Sequence, residues 1–298
     1  MTEKASARRY NVRHKTLYTY SLPVSLSQHF LHLTPRDTPC QQVEKVHLAT
    51  DPAPATWREA TDYFGNQTIL ASLDEEHVKT SITADSVIIV TAPSLPDPAS
   101  TTPWESVCDD LKKDTSEEGL FVRQFCYRSP RIQPGMNVLD MAKAFFQPET
   151  PILEGAAGLM EHIYKSFSYD PEATHVDTPV DDVLRLKRGV CQDFAHIQIA
   201  CLRALGIPAR YVSGYLLTHP PEGEEKLQGA DASHAWVSVW AGDDGWVDMD
   251  PTNNLFTKDE HVTLAWGRDY GDVSPINGVT FGGGRHNVAV EVDVLPID

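Results

Sequence analysis

Nowhere in this chain do about 18 apolar residues run together, so no segment reads as a membrane-spanning helix. The opening stretch, Met1-Thr-Glu-Lys-Ala-Ser-Ala-Arg-Arg, lacks the charged-then-apolar order of a secretory signal. Cysteine is scarce. Cys40, Cys108, Cys126, Cys191 and Cys201 are odd in number and lack Cys-x-x-Cys spacing, which argues against a disulfide scaffold or zinc ribbon and for reduced thiols. The expected compartment is the cytoplasm. Positive charge is also short: 25 Lys and Arg against 42 Asp and Glu give a net charge of −17, which speaks against nonspecific binding to nucleic acid or to an anionic membrane. No internal repeat is evident. What remains is an ordinary globular composition whose 298 residues suffice for two domains with separate cores.

The most informative stretch is Arg188-Gly189-Val190-Cys191-Gln192-Asp193-Phe194-Ala195, where a glycine-containing turn meets the first residue of a long apolar helix. The N–H groups left unpaired at a helix start, together with the macrodipole, favour thiolate over thiol. Apolar positions run nearly all round from Val190 to Leu205, so the helix is expected to be buried; Gly206 and Pro208 then end it. Cys201, on the apolar side with Phe194 and Ile197, reads as a core residue, whereas Cys191 sits where a sulfur can act.

Downstream, Ser233 to Trp240 and Trp246 to Thr252 flank a Gly-Asp-Asp-Gly turn and predict a β-hairpin. Alternation places His234, Trp236, Ser238 and Trp240 on one face with Trp246, Asp248 and Asp250. A three-residue loop would set His234 opposite Asp250; a five-residue loop, 241–245, would pair Asp250 with Trp236 and leave it diagonal to His234. In both registers imidazole and carboxylate stand within about 5 to 8 Å at Cβ. Asp248 shares that face, and periodicity does not choose between the two acids.

The residues Cys191-Gln-Asp-Phe-Ala, Leu205-Gly-Ile-Pro-Ala-Arg-Tyr-Val-Ser-Gly-Tyr215, His234-Ala-Trp236 and Asp250-Pro-Thr252 resemble the catalytic core of the transglutaminase-like superfamily. The likeness is to its bacterial branch of cysteine-protease-like proteins with a β-rich N-terminal domain. The runs from His14 to Val24, Pro35-Arg36, Phe64-Gly65-Asn66, Gly267 to Val273 and Gly282-Gly283-Gly284 are similar to the flanking signatures of that branch. The resemblance implies Cys191 as nucleophile, His234 as base and Asp250 as orienting acid. It also implies an α+β, papain-like core in which the nucleophile helix packs on an antiparallel sheet.

Residues 1–92 read as the β-rich N-terminal domain, sandwich-like, from the alternation of Tyr10, Val12, His14, Thr16, Tyr18 and Tyr20 and of Val78, Thr80, Ile82 and Ala84. Residues 93–150 read as a proline-rich linker with helical segments, and 151–298 as the catalytic core. Glu222-Gly-Glu-Glu225 lacks calcium-loop spacing and reads as part of a solvated loop that could flank the cleft. Tyr169 and Tyr215 are candidates for the cleft wall or the core. The expected chemistry is acyl transfer at an amide through a thioester, with hydrolysis of a peptide, isopeptide or glutamine-type amide favoured over transfer to an amine. No cofactor or metal is expected, and a peptide or protein amide is the expected partner. A non-catalytic binding module and a zinc hydrolase are the rival classes.

Overall fold

The structure, a computed structural model, describes residues 7–133, 135–218 and 233–298. The acidic cluster at 222–225 and the expected cleft-flanking loop up to residue 232 lie outside the described residues. No helix among the described residues is long and apolar enough to cross a membrane.

The N-terminal half is built around one strand. β1 (Ala7–Leu31) buries Tyr10, Val12, His14 and Thr16 and turns the residues between them outward, as the alternation predicts. It is joined by β2 (Gln41–Asp51), β3 (Thr56–Thr61), β4 (Gln67–Leu73) and β5 (His77–Thr91) in the order β2-β5-β1-β4-β3. β5 buries Thr80, Ile82, Ala84, Ser86, Ile88 and Val90 and leaves Val78 exposed.

The helical region follows. It holds α1 (Trp104–Lys113), α2 (Glu117–Arg123), α3 (Met136–Lys143) and α4 (Ile152–Ser166). Ser116 accepts from the Gly119 N–H at 3.0 Å and so separates α2 from α1. A two-residue strand, β6 (Ser168–Tyr169), pairs in parallel with β7 (Arg188–Gly189), and α5 (Val180–Leu186) lies between them in sequence. α6 (Cys191–Ala204) begins two residues after β7, and every residue from Gln192 to Arg203 is buried.

Against α6 lies a five-stranded sheet formed by β8 (Ala209–Leu216), β9 (Ser233–Trp240), β10 (Trp246–Asp250), β11 (Leu255–Phe256) and β12 (His261–Gly267), in the order β11-β10-β9-β8-β12. Ala209, Tyr211, Val237, Val239, Val247 and Met249 share one core with Phe194, Ile197 and Cys201 of the helix. The opposite face carries Arg210, Trp236, Asp248 and Trp246. Trp246 pairs with Trp240 and Met249 with Val237, so the hairpin takes the five-residue loop 241–245 and Asp250 falls diagonal to His234. This is an α+β arrangement with α6 packed on an antiparallel sheet, as the resemblance implies.

The chain divides differently from the boundaries expected at 92 and 150. After α7 (Tyr270–Val273), the strands β13 (Ile276–Gly282) and β14 (His286–Ile297) leave the catalytic sheet and pair antiparallel with β1. The last 20 or so residues assigned to the catalytic core thus complete the N-terminal sheet. Conversely Val107, Cys108, Ile132 and Val138, from the supposed linker region, pack in the core of α6. Strand pairing between distant segments leaves no mark on either segment's own pattern, which is why the boundary was misplaced. Beside the register shift of β1 between Thr19 and Val24 stand Gly282, Gly283 and Gly284, all with positive φ; a Cβ at Gly282 would stand 2.6 Å from the Pro23 carbonyl oxygen.

The expected sandwich takes a particular form. The N-terminal strands make one seven-stranded sheet, and the second layer is supplied by the catalytic sheet itself: Tyr10, Val12, Ile82, Ile88 and Val292 pack with Tyr215, Leu217, Val262 and Leu264. Tyr215 is therefore a core residue. His14, buried and pushed down to about 4 by that burial, joins the layers through its ring nitrogens, Nδ1 to the Tyr215 hydroxyl at 2.9 Å and Nε2 to Thr16 at 3.0 Å.

β12 is the outer strand of the catalytic sheet, and its free edge is covered by two side-chain amides. Gln41 donates to the Thr263 carbonyl at 2.7 Å and accepts from the Thr263 N–H at 2.8 Å; Asn66 does the same for Trp266 at 2.9 and 3.0 Å. Each amide stands in for one residue of a missing neighbour strand. Gln41→Leu keeps the volume but strands two buried backbone groups, so it is expected to cost about 1–3 kcal/mol, read as a lower urea midpoint at unchanged m value. A midpoint equal to that of the parent would show that water replaces the amide.

Candidate active site

The start of α6 is built to hold Cys191 in place. Val190 is extended, and the Asp193 carboxylate reaches back to accept its N–H at 2.9 Å, while the Thr174 hydroxyl donates to the same oxygen at 2.6 Å. Gly189 is required beside this cap, because a Cβ there would lie 2.5 Å from Asp193 Oδ2. At the far end Arg203, buried with the helix, donates to the carbonyls of Ala209 and Arg268 and to the Ser129 hydroxyl, which pins the C-terminus. Cys191 itself is half-buried.

His234, at the start of β9, bonds Asp250 on one side and on the other lies near enough to Cys191 for the sulfur to favour its cation. Its Nε2 lies 2.7 Å from Asp250 Oδ2, so Nδ1 is the nitrogen left for the thiol. Asp250 is fully buried and is met by five donors. His234, His261 Nε2 at 3.2 Å and Asn253 Nδ2 at 2.7 Å converge on Oδ2, and the Thr252 and Asn253 N–H groups reach Oδ1 at 2.9 and 3.3 Å. The Asp250-Pro-Thr-Asn253 sequence is thus a turn whose own backbone satisfies the acid. His261 Nδ1 accepts the Lys258 N–H at 3.4 Å, which leaves its Nε2 protonated to donate.

These contacts set the charges. Burial of His234 works against its cation, yet the bonds and charges of Asp250 and Cys191 outweigh it and lift the imidazole to about 10. Burial likewise opposes the Asp250 carboxylate, but the hydrogen bonds from His234, His261 and Asn253 hold it well below the usual range. The other thiols are unlike a nucleophile. Burial pushes Cys108 and Cys201 up to about 12, Cys126 to about 11, and Cys40 upward.

All three residues named from the sequence therefore come together, with His234 bonded to the acid and near the thiol. Asp248, the rival acid, is occupied elsewhere: its Oδ2 accepts the Trp236 indole N–H at 3.0 Å. Tyr169 is exposed and close enough to Cys191 for the charges to interact, so of the two tyrosines it is the one at the site. His261 and Asn253 were not anticipated. Asn253 could have been found as the residue that completes the Asp250 turn; His261 carries no local signal, because its strand lies beside β8 and away from β10. His234, Asp250 and His261 also present three ligand-type atoms within 4.8 Å of one another, the one such group among the described residues. All three are already engaged in the hydrogen bonds above.

A thiol at the start of a buried helix, facing an imidazole and a buried acid on an antiparallel sheet, defines a protein of the papain-like and transglutaminase-like class. The chain belongs to the transglutaminase-like superfamily, whose core its residues 140–251 match, and its residues 10–89 match the bacterial transglutaminase-like N-terminal region. It is 37% identical over 303 residues to an uncharacterized protein of Mycobacterium tuberculosis, across 97% of this chain and 93% of that one. It is 34% identical over 116 residues to a protein-glutamine gamma-glutamyltransferase of Pseudomonas aeruginosa, across 38% of this chain and 17% of that protein. The crystal structure of a "Putative Cysteine Protease" from Cytophaga hutchinsonii shares the fold with a TM-score of 0.78 at 20% identity, over 99% of this chain and 92% of that one.

The sign of the pH dependence follows from the shifts. His234 is raised, so its contribution to stability is complete below about 6.5, its ordinary value, and is lost as pH rises through about 10. Asp250 is lowered, so its contribution is present above the ordinary carboxylate range and is lost only in stronger acid. Urea midpoints at pH 6.5 and pH 10 are expected to fall further for the parent than for His234→Ala, with the difference isolating this residue from other alkaline titrations. Equal falls would mean that the ring is not held as a cation.

Proposed function

We propose that this chain is a cysteine-dependent acyl-transfer enzyme that hydrolyses an amide bond in a peptide or protein, whether a peptide, an isopeptide or a glutamine-type side-chain amide. The single observation that carries this reading is the placement of His234 near Cys191 and bonded to the buried Asp250. Cys191 attacks the carbonyl carbon, and the developing oxyanion is met by the N–H groups at the very start of α6, ahead of those of Asp193 and Phe194, which bond the Val190 carbonyl. The tetrahedral adduct collapses, the amine takes a proton from His234, and a thioester remains. His234 then accepts a proton from water as that water attacks the thioester, which frees the acid and restores the thiolate. Asp250 keeps the ring oriented with Nε2 toward itself.

Hydrolysis is favoured because Cys191 is only half-buried and has the exposed Tyr169 beside it, which leaves an acyl-enzyme open to water. Transfer to an amine is the second reading, supported by the stretch shared with the Pseudomonas aeruginosa glutamyltransferase. The cytoplasm fits either reading, since a nucleophilic thiol among four further free cysteines persists in a reducing milieu.

The first test is brief treatment with substoichiometric iodoacetamide, mapped by mass spectrometry. Label is expected on Cys191 at pH 6 to 7, ahead of the four thiols that burial pushes up, and less in His234→Ala. Indiscriminate labelling would instead point to a non-catalytic binding module. With an amide substrate in hand, Cys191→Ala is expected to abolish turnover, and Asp250→Asn to cost about 10²-fold or more. Asp248→Asn, whose amide oxygen can still accept the Trp236 N–H and which gives up only the charge near Arg210, is expected to cost far less. The opposite order would exchange the two acids, and incorporation of an added amine into the product would identify a transferase.

A further inference from the structure

On the face of the catalytic sheet turned away from α6 lies a cavity of about 510 Å³, roofed by the start of β2 and by the chain from Val90 to Pro96. Neither Cys191 nor His234 lines it. Trp236, Trp246 and Trp266 form its walls, with Pro39, Pro93 and Leu95 opposite. The size and the apolar lining are those of a small-molecule site.

Its polar element is Arg210. The side chain is 7% exposed, and its guanidinium lies over Trp266 at 3.7 Å and over Trp246 at 4.3 Å from the ring centroids. Stacking of this kind fixes the plane of the cation but leaves its N–H donors, which lie in that plane, to find acceptors. Arg210 Nε is buried with no hydrogen-bond partner, and so is Nε1 of Trp266 on the same wall. Ser238 Oγ, on the residue paired across the sheet with Arg210, is a third such atom. Asp248 is near enough for its charge to favour the guanidinium, but its Oδ2 already serves Trp236. Buried donors left open cost the free energy of their lost hydration, and two of the three residues that carry them, Arg210 and Trp266, line the cavity.

We propose that this cavity binds a small organic carboxylate, with its apolar or aromatic body against the tryptophan, proline and leucine walls and its carboxylate on the guanidinium of Arg210. One fork-shaped donor in apolar walls suits a singly charged planar acid, since a phosphate would need further cations to offset its second charge. Asp248 already opposes Arg210, and Asp244 adds a second negative charge to the lining. The site reaches the triad directly, because His261 lines the cavity and also donates to Asp250.

The test is calorimetric titration of the full chain with phenylacetate and indole-3-acetate against their neutral amides, with tryptophan fluorescence as a second readout. At least one acid is expected to bind with a Kd below about 1 mM and to quench the indoles, with its amide at least about tenfold weaker. Arg210→Gln is expected to weaken the acid about tenfold or more and to leave the amide unchanged. Should that variant fail to fold, Ser94→Trp, placed at the exposed rim of the cavity, fills it without touching the stacked guanidinium and is expected to abolish binding. Binding is expected to persist in Cys191→Ala, so the result stands apart from the catalytic reading. No binding by either acid at 10 mM, equal binding of acid and amide, or binding indifferent to both cavity variants would overturn the proposal.

Discussion

A single buried carboxylate organises the functional end of this molecule. Asp250 has no exposure to water, and an ion so placed is tolerable only when protein donors replace its hydration. Five do, drawn from three separate parts of the chain: His234 at the start of β9, the turn at Thr252 and Asn253, and His261 at the start of β12. Satisfying Asp250 therefore fixes the spacing of those segments. The orientation of His234 toward Cys191 follows from that arrangement.

The N-terminal sheet is part of the same construction. β12, which carries His261, would be an open edge without Gln41 and Asn66, whose amides complete its hydrogen bonding from the other layer. Arg36 stacks on Trp266 from that side at 3.3 Å, Arg210 also lies over this ring, and His14 joins the layers deeper in the core. The two ends of the chain meet in β1, which pairs with β5, β4, β13 and β14. A domain that looks like an appendage in chain order supports the edge of the catalytic sheet, and the tryptophan-walled cavity lies where the two meet.

Much of this was legible in advance, for identifiable reasons. The alternation in β1, the all-round apolar character of α6 and the Gly206-Ile-Pro208 ending are local consequences of strand and helix periodicity. The hairpin face shared by His234 and Asp250 followed from the same alternation, although its register stayed open until cross-strand packing selected the five-residue loop. What escaped was nonlocal. β13 has seven residues and β14 twelve, and nothing in their own patterns names β1 as their partner. Likewise nothing in the neighbourhood of His261 names Asp250. The choice between Asp248 and Asp250 rested on a likeness, and geometry shows that each acid serves a different ring.

The sequence by itself determined which residues could do chemistry: a thiol at a helix start, and an imidazole and acids on one face of a hairpin. These depend only on the repeat of a helix or strand, which acts over a few neighbouring residues. Tertiary structure alone decided which acid turns toward the imidazole, which histidine supports it from behind, which sheet the last strands join and where unpaired donors surround a cavity. Each of those depends on how segments far apart in the chain share a limited supply of hydrogen-bond partners once water is excluded.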